Sequence, residues 1–385
     1  MIRGYTLKIC GPDTNTFNMQ ELLAVTKSFK IAGEVDTILP YGNGNINDTF
    51  YIKTNEQLSP NYILQKINKR VFGNIEELTH NKVLVSKWLS KKNKRIKGEW
   101  NQRFVETEDG KYYYVDKEGN GWNLSEFIPN STTHMIVSDE KLAYEGGKAI
   151  GLFHQQLGDM DPDVLYETLP SFHKLGDRIE QFEKAIASDT ENKLVIVEEE
   201  ARWLLEQKKD FLELDEKIRK KEIPERICHN DTKISNTLFT PDGKAICMID
   251  LDTVMKGSIL YDFGDAIRSG ANRAAEDEAD LKKVGMNMKF FHAYARGYLE
   301  SSIGFLASTE IENLAFSALF ITYEQILRFM TDFLEGDQYY KIKYPDHNLV
   351  RSRSQLKLLI DMQKNYEKMD LMVQEIAEEL KSIRV

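Results

Sequence analysis

Cysteine is scarce in this chain of 385 residues, and its three copies lie far apart. Cys10, Cys228 and Cys247 form neither a CxxC pair nor a disulfide framework. The seven histidines are equally scattered, without HExxH or another paired ligand spacing, so a zinc enzyme is not expected. No apolar run approaches the roughly 20 residues of a membrane span, and no charged-then-apolar leader pattern opens the chain. These absences predict a cytoplasmic protein with no membrane partner.

Basic residues are also fewer than acidic residues. The chain has 61 acidic residues against 51 Lys and Arg, a formal net charge of −10 and a pI near 5.4. A nucleic-acid-binding surface needs a broad basic footprint, whereas the basic clusters here, such as KKNKRIK from Lys91, are short. We therefore expect no nucleic-acid partner.

The spacing of apolar residues changes near residue 128. Before it, a short amphipathic helix (19–31) precedes alternating, strand-like segments and one helix (75–89). After it, spacings of three and four residues predict helices, interrupted by one β-rich island (226–252). We predict an α+β protein with a small antiparallel sheet in residues 1–128 and a mainly helical domain in 129–385.

The final segment carries a stripe of apolar residues at alternating steps of three and four. A stripe of about three heptads fits packing against the body of the protein, which we favour, or a dimer seam. The sequence therefore leaves both a monomer and a dimer open. The stripe consists of Leu359, Met362, Tyr366, Met369, Val373, Ile376 and Leu380.

The β-rich island contains the strongest chemical motif in the chain. In HNDTKISN, His229, Asp231 and Asn236 follow the pattern H-x-D-x-x-x-x-N. The Asp-Gly pair in TPDGK (240–244) predicts a hairpin turn. Such a hairpin returns Asp250, at the end of AICMID, to the loop that holds Asp231. Two carboxylates and one amide oxygen then converge on one place.

Phosphoryl transfer uses this set of groups. One carboxylate orients or deprotonates the acceptor hydroxyl, while an amide oxygen and a second carboxylate hold Mg²⁺ against the nucleotide phosphates. We assign Asp231 to the hydroxyl, and Asn236 and Asp250 to the metal. The alternative is a loop whose polar side chains only cap their own backbone. Asp262, in YDFGD, comes too late after the loop for a metal ligand, so we expect it and His229 to support the loop.

These residues resemble the aminoglycoside phosphotransferase and choline kinase superfamily, whose motif also ends in a strand with Ile-Asp, here Ile249-Asp250. YGNGNINDTF, YILQKIN, HNDTKISN, IDLDTVMKGSILYDFGDAIR and FLEGDQYYKIKYPDHNLVRSRSQLKL are further similar, in order and wording, to the N-acetylhexosamine 1-kinases, over residues 35–359. The resemblance implies a bilobal protein-kinase-like fold. It also implies transfer of phosphate from ATP, with Mg²⁺, to the anomeric hydroxyl of N-acetylglucosamine or N-acetylgalactosamine.

The resemblance also implies where the ligands bind. The turn at residues 41–45 would cover the ATP phosphates, and the segment WNLSEFIP would be the hinge that meets the adenine. From the residues alone, a Gly-Asn turn is common in any hairpin, and Arg328 and Tyr339 equally fit surface or packing roles. The implied nucleotide-binding residues are Gly42, Asn43, Gly44, Gln65, Glu126 and Phe127, and the implied sugar-binding residues are Asn45, Thr253, Arg328 and Tyr339.

One feature of protein kinases has no clear counterpart. A strand lysine there pairs with a helix glutamate and reaches the phosphates. The matching strand position in YILQKIN holds Gln65, and Lys66 points to the opposite face. Glu76 and Glu77 come early in the next helix, and neither stands at the partner position. Either ATP is bound without this pair, or Lys66 takes part after a one-residue shift of register.

The sequence alone is compatible with three functions. The first is a sugar 1-kinase that works by in-line attack on the γ-phosphate of ATP. The second is a kinase of the same fold with another acceptor: an aminoglycoside, choline, homoserine or a different sugar. The third is a nucleotide-binding regulator without catalysis, against which the presence of Asp231, Asn236 and Asp250 argues.

Overall fold

The computed structural model describes residues 19–42, 46–56, 58–93 and 101–383. The chain divides into two compact units, Met1–Asn130 and Ser131–Val385. The predicted α+β architecture is confirmed, because a small antiparallel sheet precedes a mostly helical part. Among the described residues, none of the helices has the length and apolar character that crossing a bilayer would require.

Among the described residues of the first unit, five antiparallel strands form a sheet in the order β1-β2-β3-β5-β4. Alternation along the strands places Phe50, Leu64 and Trp122 on one face, where they pack with Leu22 of helix α1 and form the apolar core of this unit. The elements are α1 Met19–Thr26, β1 Val35–Pro40, β2 Asp48–Thr54, β3 Tyr62–Ile67, β4 Tyr114–Val115 and β5 Gly121–Glu126.

The other face of the sheet is more polar, and side chains of helix α2 (Ile75–Asn93) reach it at Gln65 and Gly121. The register of β3 and β5 places Gln65 directly opposite Asn123, so both side chains project away from the apolar core. The first turn of α2 rests on β5 at a glycine, because a Cβ at Gly121 would overlap the side chain of Ile75. Helix α2 therefore lies close to this polar face.

Helices dominate the second unit, and two short antiparallel strand pairs interrupt them: β6 with β9 and β7 with β8. The β7–β8 pair is the hairpin expected at TPDGK, with Gly243 at φ 79°. The helices are α3 Glu140–Leu157, α4 Leu175–Ser188, α5 Leu194–Arg219, α6 Ile259–Gly270, α7 Met288–Ser302, α8 Ser308–Leu334 and α9 His347–Ile383, and the strands are β6 Arg226–Cys228, β7 Thr237–Phe239, β8 Ala245–Met248 and β9 Met255–Gly257.

The C-terminal apolar stripe lies along α9. Met362, Met369 and Val373 are fully buried, and α9 packs against α8 and α7. Packing within the second unit therefore accounts for the heptad-like spacing of these residues.

Glycines bring α3 and α7 unusually close together. A Cβ at Gly147 would overlap the backbone oxygen of Tyr294, and a Cβ at Gly297 would overlap the backbone oxygen of Tyr144. Backbone atoms cannot rotate away as a side chain can, so a methyl group at either position would push the two helices apart. This contact also matters for the site, because α3 carries His154.

We expect Gly147→Ala and Gly297→Ala each to lower the free energy of unfolding by about 1–3 kcal/mol or more, through overpacking. Gly176→Ala in α4 is the matched control, because the nearest atom, Asp215 Oδ2, would be 3.9 Å from its Cβ. Alanine fits there and is the better helix former by up to about 1 kcal/mol. Urea unfolding followed by circular dichroism measures all three variants. Equal stability of the Gly147→Ala and Gly176→Ala variants would contradict the close contact.

Candidate active site

A buried carboxylate anchors the HNDTKISN loop, which follows β6. Asp262, fully buried in the first turn of α6, accepts hydrogen bonds from the backbone N–H groups of His229 at 2.7 Å and Asn230 at 2.6 Å. Burial alone would raise the pKa of Asp262, but His154, 2.7 Å away, and the N–H of His229 hold that pKa below its usual value. Asp262 therefore stays ionised and fixes the start of the loop.

The loop is also tied to a 3₁₀ turn, Leu251–Thr253, that follows β8. The Thr253 hydroxyl donates to the backbone oxygen of His229 at 2.6 Å, and Asn230 Nδ2 donates to the backbone oxygen of Thr253 at 2.9 Å. Thr253, an implied sugar ligand, thus lies against the loop. Its hydroxyl proton is used within the protein, which leaves its oxygen as an acceptor for a ligand.

Asp231 projects from this loop, with 27% of its side chain exposed. Asn236 Nδ2 donates to its Oδ2 at 3.0 Å and to its backbone oxygen at 2.9 Å. The ammonium of Lys233 lies 3.2 Å from the same Oδ2. Because Nδ2 of Asn236 faces Asp231 in this hydrogen-bond network, Oδ1 is the amide atom that remains for a ligand.

The β7–β8 hairpin brings Asp250 back to the loop. The N–H of Ile249 donates to the backbone oxygen of Asn236 at 2.8 Å, and the oxygen of Ile249 lies 2.8 Å from His229 Nε2. Ile249, the residue before Asp250, is thus held through both its N–H and its C=O group. Asp250 itself adopts a left-handed backbone conformation, φ 63° and ψ 58°, which is uncommon for residues other than glycine and clusters at functional sites.

The ammonium of Lys233 feels the negative charge of both Asp231 and Asp250. Asp231 is the main cause of the raised pKa of the Lys233 ammonium, and Asp250, Asp265 and Glu276 add to it. Sequence reasoning missed Lys233, although it stands two residues after Asp231 in the same motif. The structure therefore brings Asp231 and Asn236 into contact, returns the backbone before Asp250 to the same loop, and adds a cation beside Asp231.

The residues present fit a magnesium ion. Asn236 Oδ1 and the carboxylate of Asp250 are hard oxygen donors of the kind that Mg²⁺ prefers. Within the part of the chain that the structure describes, no three or more His, Cys, Asp or Glu side chains cluster as a metal site. A Mg²⁺ ion at this pair would complete its coordination with phosphate and water oxygens, as this metal usually does in proteins that bind nucleotides.

A second polar cluster lies beside the loop. Both carboxylate oxygens of Glu324, buried in α8, are 3.1 Å from His173 Nδ1, and His173 Nε2 lies 3.4 Å from the backbone oxygen of Asn230. Burial would raise the pKa of Glu324, but His173, Arg328 and Arg178 hold it below its usual value. His173 and Glu324 were not foreseen, because nothing in the local sequence around either residue marks them.

Arg328, an implied sugar ligand, belongs to this cluster. Its guanidinium lies 4.9 Å from the ring centroid of Phe172 and 5.7 Å from that of Tyr340. Burial would lower the pKa of Arg328, but Tyr340, Glu324 and Tyr339 outweigh it and raise the pKa. Tyr339, another implied sugar ligand, is 51% exposed. Both residues therefore lie in one aromatic and cationic patch.

Two backbone N–H groups of the predicted adenine-binding segment already donate hydrogen bonds within the first unit. The N–H of Glu126 donates to the backbone oxygen of Arg103, and the N–H of Phe127 donates to that of Asn61. A role in adenine binding would fall to carbonyl oxygens, which can accept a second hydrogen bond, and to the ring of Phe127. Asn43, Gly44 and Asn45 lie outside the described residues.

An aromatic cluster stands at this end of the sheet. The ring of Phe127 lies 5.0 Å from that of Tyr51 and 6.1 Å from that of Tyr41, centroid to centroid. Gly42 follows Tyr41 with φ 76°, a conformation that favours glycine. These rings offer apolar area next to the implied nucleotide-binding turn.

The register of β3 answers the question about Lys66. Gln65 pairs with Asn123 on the polar face, and Lys66 pairs with Trp122. The Lys66 ammonium lies 5.3 Å from the ring centroid of Trp122, a side chain of the apolar core. The one-residue shift that would bring Lys66 to the polar face is therefore not observed.

Comparisons with known proteins agree with this geometry. The family model described as "Phosphotransferase enzyme family" (APH) matches residues 37–300. An amicoumacin kinase in complex with AMP-PNP, Ca²⁺ and Ami has a TM-score of 0.58 and 14% identity, over 89% of this chain and 94% of that chain. A microcompartment-associated aminopropanol kinase has a TM-score of 0.58 and 12% identity, over 92% and 100%. An ethanolamine kinase of Plasmodium vivax has a TM-score of 0.53 and 15% identity, over 91% and 93%.

These likenesses confirm the predicted kinase-like fold. The family match spans more than half of the chain and includes Asp231, Asn236 and Asp250. The sequence motif, the return of the β7–β8 hairpin to the loop and the extent of the match lead to one assignment: this chain belongs to the phosphotransferase enzyme family.

Proposed function

We propose that this protein is a kinase that transfers the γ-phosphoryl group of ATP to the anomeric hydroxyl of an N-acetylhexosamine, N-acetylglucosamine or N-acetylgalactosamine. Family membership supports phosphoryl transfer to a small molecule. The observation that carries the choice of acceptor is the cationic and aromatic patch around Arg328, which reaches the catalytic loop through His173. The sequence resemblance to N-acetylhexosamine 1-kinases points to the same acceptor.

Asp231 orients the acceptor hydroxyl and receives its proton as the oxygen attacks the γ-phosphorus in line with the departing ADP. Lys233, beside Asp231, contributes positive charge close to the transferred group. A Mg²⁺ ion bound by Asn236 and Asp250 would neutralise charge on the phosphates. Positioning and electrostatic stabilisation provide most of the acceleration in this chemistry, since little covalent work falls to the protein.

The charges beside the loop favour a neutral acceptor. His173 and Arg328 already lower the pKa of Glu324 and are its partners. A second guanidinium, Arg178, lies nearby. Burial lowers the pKa of Arg178, and the charge of Arg328 lowers it further. A cationic acceptor would meet like charge here. Sugar hydroxyls and an acetamido oxygen can instead accept hydrogen bonds from a guanidinium, and the exposed ring of Tyr339 offers a surface for stacking.

A second class of acceptor is an amino alcohol, the class named in two of the fold neighbours. The specific observation in its favour is Asp252, a buried carboxylate in the 3₁₀ turn that touches the loop. Its charge suits an ammonium group. The patch around Arg328 argues the other way, so a direct comparison of acceptors decides between the two.

Incubation with ATP, Mg²⁺ and an N-acetylhexosamine should give the sugar 1-phosphate, identified by ³¹P and ¹H NMR of the product. Ethanolamine, choline and an aminoglycoside serve as cationic comparison acceptors, and we expect no phosphorylation of them. Phosphorylation of a cationic acceptor, with both N-acetylhexosamines unmodified, would move the assignment to the second class. Binding of ATP with Mg²⁺ but no acceptor-stimulated release of ADP would instead indicate a regulator.

Asp231→Asn should lower kcat by about 10²–10⁴-fold, the usual range for removal of a positioned acid–base group. Nucleotide binding should persist, because the amide keeps the shape of the side chain and both assigned metal ligands remain. Asp242→Asn, on the exposed turn of the same hairpin, is the matched carboxylate-to-amide control and should keep full activity. Steady-state kinetics and calorimetric ATP titration measure both effects. Near-normal turnover of the Asp231→Asn variant would refute its assigned role.

Asp250→Ala should act on the metal rather than on proton transfer. We expect the Mg²⁺ concentration for half-maximal activity to rise by more than about tenfold, since loss of even an outer-shell partner weakens metal sites by about 10–100-fold. Calorimetric titrations of ATP at several Mg²⁺ concentrations should show weaker, more Mg²⁺-dependent binding than in the Asp231→Asn variant. An unchanged Mg²⁺ dependence would remove Asp250 from the metal site.

A further inference from the structure

Helix α2 carries a buried lysine against the polar face of the sheet. Lys82 is fully buried, and its ammonium donates to Gln65 Oε1 at 3.5 Å. It also lies 5.3 Å from the ring centroid of Phe104. A fully buried lysine is rare, because removing an ammonium group from water is costly. Its position therefore calls for a specific explanation.

The contact between Lys82 and Gln65 occupies the place of the lysine–glutamate ion pair of protein kinases. Here, however, the lysine is on the helix and its partner is on the strand. In protein kinases a lysine on the third strand pairs with a glutamate on the following helix. Here the third strand contributes the neutral Gln65, and the following helix contributes the cation. Lys66, the neighbouring strand lysine, points to the opposite face. The cation thus comes from the helix rather than from the strand.

A second observation on the same face indicates an anionic ligand. Asn123 stands directly opposite Gln65 in the β3–β5 register and is 1% exposed. In the described part of the chain, its Nδ2 group has no hydrogen-bond partner. A buried donor without a partner costs about 1–3 kcal/mol. An ammonium and an amide donor on one face suit the oxygens of an anion.

We propose that Lys82 supplies, from helix α2, the positive charge that a strand lysine supplies to the ATP phosphates in protein kinases. Gln65 holds its ammonium in place, and Asn123 Nδ2 adds a neutral hydrogen bond to the same phosphates. The inference rests on the proposed ATP-dependent function, because it concerns how the nucleotide is held. It also explains why no glutamate occupies the partner position on this helix, since a cation already stands there.

The test compares the dissociation constant of ATP with Mg²⁺ in four proteins by isothermal titration calorimetry. Lys82→Met should weaken binding by about 10–100-fold, the equivalent of one hydrogen bond to a charged group. The double variant Gln65→Lys/Lys82→Glu rebuilds the usual strand-lysine and helix-glutamate pair and should regain most of the lost affinity. Lys66→Met, the same substitution on the opposite face, is the matched control and should bind ATP like the wild type.

Several outcomes would overturn the inference. One is a folded Lys82→Met variant that binds ATP with wild-type affinity. Another is a folded double variant that binds ATP no better than Lys82→Met. Circular dichroism checks folding, and if Lys82→Met does not fold, the comparison of the double variant with the wild type decides. Wild-type protein that binds no ATP would refute the proposed function itself, whereas equal binding by wild type and Lys82→Met refutes only the role of Lys82.

Discussion

The position of the candidate base depends on one buried carboxylate. Asp262 lies beneath the HNDTKISN loop and accepts hydrogen bonds from the backbone N–H groups of His229 and Asn230, with His154 as a further partner. A buried charge without partners would cost several kcal/mol, so the loop and Asp262 stabilise each other in one arrangement. His154 lies on α3, which packs closely against α7 through glycines of both helices, and its ring also contacts Tyr298 of α7. A packing contact between two helices thus supports the geometry of the loop.

The loop and the hairpin could be predicted because their signals are local. The H-x-D-x-x-x-x-N spacing and the Asp-Gly turn lie within about two dozen residues, and the left-handed Asp250 follows the second arm directly. Alternation and three-to-four spacing also located most elements of the fold; the helix expected at 75–89 is Ile75–Asn93. Such features depend on neighbours in the sequence, so the sequence alone carries them.

The cluster beside the loop could not be found in this way. His173 and Glu324 are 151 residues apart, and each stands alone in its helix or loop without a motif. Their meeting depends on the packing of α4 and α8, which no local pattern encodes. Lys82 was missed for a different reason. A lysine within a charged helix is ordinarily exposed, and the strand-lysine and helix-glutamate pair of protein kinases predicts an acidic residue, not a basic one, on this helix.

The surroundings of Asp231 bear on what kind of catalyst it can be. Lys233 at 3.2 Å and the amide of Asn236 at 3.0 Å both hold the same carboxylate oxygen. That oxygen is therefore fixed in direction, which leaves the other to meet the acceptor hydroxyl. Phosphoryl transfer proceeds through a loose transition state in most analyses, in which the acceptor forms little bond to phosphorus before the leaving group departs. Strong basicity then gains little, and a carboxylate held in one orientation by two donors is suited to align an acceptor hydroxyl.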